Sequence, residues 1–155
     1  MNPTTEPPAP GTPDAAVTFD LTLAQKTLDA QPFSVLLGAR ITAFGGGDAV
    51  LELDARDDLR QQNGFLHGGV LAYAADNALT FAAGSALGPA VLTGGFSIQY
   101  IRPATGTTLI ARASTVHGGR RQAVCRCELY VADEAGVETL CAVAQGTVLT
   151  VQKSG

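Results

Sequence analysis

The spacing of apolar residues along the chain changes character three times. Residues 20–31, DLTLAQKTLDAQ, place Leu21, Ala24 and Leu28 at helical spacing behind Asp20, a residue suited to an N-cap. The segments PFSVLLGARITAF and DAVLELDAR then predict two strands around the glycine turn at 45–47. In the second, Ala49, Leu51 and Leu53 alternate with Val50, Glu52 and Asp54. Residues 56–66 are polar and loop-like until Phe65. One long helix is expected from His67 or Gly68 to Leu87, closed by Gly88-Pro89. Beyond it the period falls to two, with strands predicted at 91–102, 107–117, 121–132 and 138–151. In the third of these, Ala123, Cys125, Cys127, Leu129 and Val131 share one face, the pattern of a sheet covered on one side. The expected architecture is α+β, an antiparallel sheet wrapped around one almost uncharged helix.

Composition narrows the function classes. The chain has 155 residues, enough for one domain. A net charge of −4 provides no global basic field, so no nucleic-acid partner is expected. Only 15% of residues are charged, which suits a protein that hides surface in an oligomer. Cys125, Cys127 and Cys141 lack metal-type spacing and read as small buried hydrophobes in a reducing cytoplasm, the expected location. Residues 1–19 are Pro-rich, without Lys, Arg or an apolar run, and read as a disordered tail rather than a signal peptide. The single domain is expected over 20–152. The apolar stretch 68–87 carries Asp76 at its centre, which argues for a buried soluble helix and against a membrane span.

Asp76 is the only charged residue of that helix, and a carboxylate there needs a partner or access to water. A neighbouring hydroxyl or amide would satisfy it; so would a catalytic setting. His67-Gly68-Gly69 opens the same helix, where unpaired first-turn amides and the helix dipole make an anion-stabilising site. A histidine cap with glycines serving close packing is the plainer alternative. His67 and Asp76 lie nine positions apart, about 900° of rotation and roughly 13.5 Å along the axis, so they face opposite ways. One chain cannot bring both to one substrate; a two-fold dimer can. Thr80 shares the face of Asp76, where its hydroxyl could hold a water against the carboxylate.

The run from Gln61 through Asn63-Gly64-Phe65-Leu66 to His67-Gly68-Gly69, with Asp76 after it, resembles the PaaI-like branch of the hotdog-fold acyl-CoA thioesterases. Gly94-Gly95-Phe96 through Tyr100 to Arg102-Pro103, and Gly118-Gly119-Arg120-Arg121, are similar to that family's Arg-Pro strand and Gly-Arg turn. The similarity spans residues 33–151. It implies a hotdog fold and hydrolysis of an aromatic or medium-chain acyl-CoA at a site shared between subunits. Asp76 would then be general base or nucleophile, and the Gly68 N–H would polarise the thioester carbonyl. Gln61 would lie near the acyl group or attacking water, His67 would shape the site, and Thr80 would orient the water. Arg120 and Arg121 would meet the phosphates of coenzyme A, which enters as part of the substrate; no separate cofactor and no metal is required. At least a homodimer, and a homotetramer by the family's habit, is implied. Phe65, Tyr73, Phe81 and Leu92 are candidate acyl-pocket residues. The alternatives are a non-catalytic acyl-CoA-binding module on the same fold, then a hotdog dehydratase. Dehydratases normally open the helix with Pro-Gly, which is missing here, and related hydratases carry Asp where this chain has Gln62.

Overall fold

Alanine governs how the long helix sits. In the computed structural model, which describes residues 18–152, α3 runs Gly68–Leu87. Ala74, Ala75, Ala78, Ala82 and Ala83 are fully buried along one side of it. Their small side chains let its axis approach the sheet closely, while Leu71 and Leu79 fill the space between. The sheet has six strands, ordered β1-β2-β4-β5-β6-β3, with every neighbouring pair antiparallel. The strands are β1 (Arg40–Gly45), β2 (Asp48–Asp54), β3 (Val91–Tyr100), β4 (Thr108–Gly118), β5 (Gln122–Ala132) and β6 (Glu138–Thr150). Both alternations read from the sequence are present: Ala49, Leu51 and Leu53 of β2 and the five predicted positions of β5 all face the core. This is the hotdog arrangement, a sheet wrapped around a central helix. None of the described helices is long and apolar enough to cross a membrane.

Leu21–Asp29 forms α1, capped by Asp20, whose Oδ1 accepts from the Leu23 amide at 3.0 Å. The next segment differs from expectation. Pro32–Leu37, predicted as the start of a strand, is a short helix, α2. Pro32 occupies its first turn, where a missing N–H costs nothing, and Gly38 ends it at φ 72, ψ 31, a left-handed cap that favours glycine. Only Arg40–Gly45 remains as β1. The predicted tail lies outside the described residues except for Thr18 and Phe19, and Phe19 packs edge-on against Phe44 with ring centres 4.7 Å apart.

The two sheet edges are β1 and β3. β3 is bulged: Thr93 pairs with Val148 and Gly95 with Thr147, which leaves Gly94 as the extra residue. The bulge shifts the alternation, so Val91, Thr93, Phe96 and Ile98 all turn inward. Along its free edge β3 exposes Leu92, at 62%, and Tyr100, at 52%.

Candidate active site

The loop before α3 leaves two N–H groups without an acceptor among the described residues. Arg60 braces it by donating to the carbonyls of Gly64 at 2.9 Å and Ala55 at 2.8 Å. Inside the turn the Gln61 side-chain oxygen accepts from the Asn63 amide, which leaves the Gln61 NH₂ as the free end of the side chain. The chain enters α3 through His67, whose amide donates to the Leu59 carbonyl at 2.9 Å. His67 is the N-cap: its Nδ1 accepts from the Gly69 amide at 2.8 Å. A Cβ at position 69 would lie 2.9 Å from that nitrogen, so the cap requires glycine. The Gly68 amide, by contrast, has no acceptor among the described residues. Gln61 and Gly68 line one cleft of about 460 Å³, together with Phe65, Leu71, Tyr100 and Arg102.

Asp76 lies in a different cleft, of about 410 Å³, lined by Gly69, Ala72, Tyr73, Asn77 and Phe96 with Phe33 and Ser34 of α2. The half-buried carboxylate is not orphaned: Thr93 donates to Oδ1 at 2.6 Å, and Oδ2 has no partner among the described residues. The Thr80 hydroxyl lies 2.8 Å from the main-chain carbonyl of Asp76 and 2.6 Å from the Thr93 hydroxyl. Thr80 donates its single proton to that carbonyl, and Thr93 donates its own to Asp76 Oδ1. Thr93 thus holds one carboxylate oxygen directly, and Thr80 lies beside Thr93 without reaching the carboxylate.

The wall of this second cleft is a polar cluster. Tyr73 donates to Ser34 at 2.6 Å and Ser34 to Gln31 at 2.6 Å. Asn77 donates to Tyr73 at 2.9 Å and to Gln31 at 3.1 Å. Burial pushes the Tyr73 hydroxyl above its ordinary proton affinity, against the opposing effect of its bonds to Ser34 and Asn77. The cluster docks α2 onto α3, with Phe33 edge-on to Tyr73 at 5.3 Å.

The sequence-predicted residues thus form two groups. Gln61, His67 and Gly68 stand at the start of α3; Asp76 and Thr80 stand beside Thr93. Both plainer expectations are also met, since His67 caps the helix and a hydroxyl pairs with Asp76. Thr93 was missed, although the glycine pair after it was the signal: a bulge there turns Thr93 and Phe96 to one face. Arg120 and Arg121 occupy the exposed turn between β4 and β5, outside both clefts, and form no ion pair among the described residues. Of the predicted acyl-pocket residues, Phe65 lines the first cleft and Tyr73 the second. Phe81 lines a separate small cavity with Phe19 and Val91, and Leu92 points to the exterior. No group of residues able to hold a metal ion occurs among the described residues.

Comparison with known proteins agrees with this fold. The family model of the thioesterase superfamily matches residues 63–138, from the loop before α3 into β6. A thioesterase family protein from Silicibacter pomeroyi is 32% identical with a TM-score of 0.78, over 83% of this chain and 95% of that one. A variant of the phenylacetic acid degradation protein PaaI from Thermus thermophilus is 31% identical with a TM-score of 0.67, over 78% of this chain and all of that one. A thioesterase from Haemophilus influenzae is 25% identical with a TM-score of 0.74, over 88% of this chain and 93% of that one. No curated protein sequence matches the chain. The chain belongs to the thioesterase superfamily and is a thioester hydrolase of the PaaI-like, hotdog-fold kind.

Proposed function

We propose that this protein hydrolyses aromatic or medium-chain acyl-CoA thioesters at sites each composed of two copies of the chain. One observation carries the reading. β3 is a free edge that touches Asp76 through Thr93 near one end and Gly68 through Tyr100 at the other. Seven residues separate the two contacts, roughly 23 Å at the rise of an extended strand. Antiparallel pairing of two β3 edges across a two-fold axis brings the Thr93 end of one strand to the Tyr100 end of the other. The donor cleft of one copy then meets the carboxylate cleft of its partner, twice per dimer. The pairing also covers an edge that exposes Leu92 and Tyr100 and would otherwise invite unspecific strand addition.

The chemistry divides between the two halves. The Gly68 N–H and the Gln61 NH₂ stabilise negative charge on the thioester oxygen as the tetrahedral intermediate forms. The free oxygen of Asp76 either takes a proton from the attacking water and returns it to the departing sulfur, so that coenzyme A leaves as its thiol, or attacks the carbonyl itself. In the second case it expels the thiolate, which takes a proton from solvent before water hydrolyses the mixed anhydride to free acid and the restored carboxylate. Thr93 holds the carboxylate in place, with the Thr80 hydroxyl beside it. In this reading His67 acts as the cap that aligns the first turn. The exposed Arg120 and Arg121 are the candidates for the phosphates of coenzyme A. Phe33, Tyr73 and Phe96 supply an apolar, aromatic wall beside Asp76 that suits a ring or a medium-length chain.

A panel of benzoyl-, phenylacetyl- and straight-chain acyl-CoAs, followed by release of free thiol, tests the substrate class. Turnover is expected with aryl or medium-chain members and little with acetyl-CoA. Binding of the same compounds without thiol release would instead indicate an acyl-CoA-binding module.

A further inference from the structure

We infer that Tyr100 is a positioning residue for the oxyanion-stabilising amide, acting through the carbonyl of Gly68. The inference rests on the thioesterase reading above and adds a residue to it. Two adjacent glycines begin α3, and a Gly-Gly pair at a helix end has more conformational freedom to lose than any other. Helix ends fray, yet a donor for transition-state charge must hold its direction.

The contacts around the first turn meet that need. The peptide that carries the Gly68 N–H is held at its other end, where the His67 carbonyl accepts from the Val70 amide at 2.9 Å. The following peptide is held at both ends. Its N–H, that of Gly69, donates to His67 Nδ1 at 2.8 Å, and its carbonyl, that of Gly68, accepts from the Tyr100 hydroxyl at 2.7 Å. The Gly68 N–H, by contrast, has no acceptor among the described residues. Within an α-helix this carbonyl already receives the amide four residues ahead, and a second lone pair remains for Tyr100.

The ring adds shape to the bond. A Cβ at Gly68 would stand 3.2 Å from the Tyr100 ring and hydroxyl oxygen, so glycine at this position lets the tyrosine lie against the helix start. Tyr100 also lines the donor cleft with Gln61 and Gly68. It belongs to β3, not to the loop or helix that carries the donors, so the clamp ties the first turn of α3 to the strand at the sheet edge.

Tyr100→Phe keeps the ring and removes only the hydroxyl. The expected result is a drop in kcat of about 10- to 100-fold on the best acyl-CoA, with KM changed less than twofold. The bound substrate's carbonyl stretch, read by infrared difference spectroscopy in an Asp76→Asn background that slows turnover, is expected to move to higher frequency as the hydrogen bond to it weakens. A purely structural tyrosine would lower the melting temperature without moving that band. Unchanged kcat with an unchanged band overturns the inference, and so does a raised KM at constant kcat. Absence of wild-type turnover across the acyl-CoA panel is a different result, which defeats the thioesterase reading itself and the role assigned to Tyr100 with it.

Discussion

Asp76→Ala is expected to lower kcat by about 10²- to 10⁴-fold, the range contributed by a positioned base, while substrate still binds. The fold should survive the change. The carboxylate is half-buried on an otherwise uncharged helix and accepts from Thr93 alone among the described side chains. Alanine is the best helix former and carries no polar group to satisfy, so the melting temperature is expected to hold or rise. Thr93 then keeps a partner in Thr80, 2.6 Å away. Asp76→Asn retains the shape and the acceptor for Thr93 but removes the charge. A rate as low as that of Asp76→Ala would show that the charge is what matters. Turnover within a few-fold of wild type for either variant would remove Asp76 from the reaction.

Gly68→Pro tests the proposed donor side of the site. Proline removes one backbone N–H, and position 68 is the first residue of α3, where helices accept proline. His67 already has φ −62 and ψ 135, the extended conformation that a residue before proline adopts. The helix should therefore form without the donor. Loss of one oxyanion donor corresponds to about 10²- to 10³-fold in kcat. The ring must also fit beside Tyr100, which a Cβ would approach to 3.2 Å. Gly68→Ala meets the same contact but keeps the N–H, so it is the control for crowding. The proline variant should fall well below the alanine variant in kcat. Equal rates for the two would indicate that packing, not the amide, matters at position 68.

Much of this arrangement was legible in the sequence because it rests on periodicity. The five alternating positions of β5 follow from a period of two, and the extent of α3 from its apolar run and the Gly88-Pro89 stop. The opposite placement of His67 and Asp76 is a property of any straight helix. Other features depend on contacts made far along the chain. Pro32–Leu37 reads as a strand from Phe33, Val35 and Leu36, yet Ser34 and Leu37 are the buried residues, Ser34 tied to Tyr73 and Asn77 nearly forty residues or more away. That tertiary dock overrides a local preference for strand. Thr93 was hidden by the bulge at Gly94, which changes which side chains face α3 without altering the apolar pattern before it. The Tyr100 hydroxyl was equally unreadable, since its partner is a main-chain carbonyl 32 residues earlier.

The division of each site between two copies is tested most directly by complementation. Gly68→Pro chains retain Asp76, and Asp76→Ala chains retain the Gly68 amide; each variant alone is expected to be nearly inactive. Mixed in equal amounts and allowed to exchange subunits, half of the dimers are hybrids. Each hybrid contains one site with both intact elements and one with neither. Recovery of roughly a quarter of wild-type activity is the expected result for a two-fold dimer. If mass spectrometry confirms exchange and no activity returns, the shared site is contradicted, and Asp76 must find its partner within its own chain.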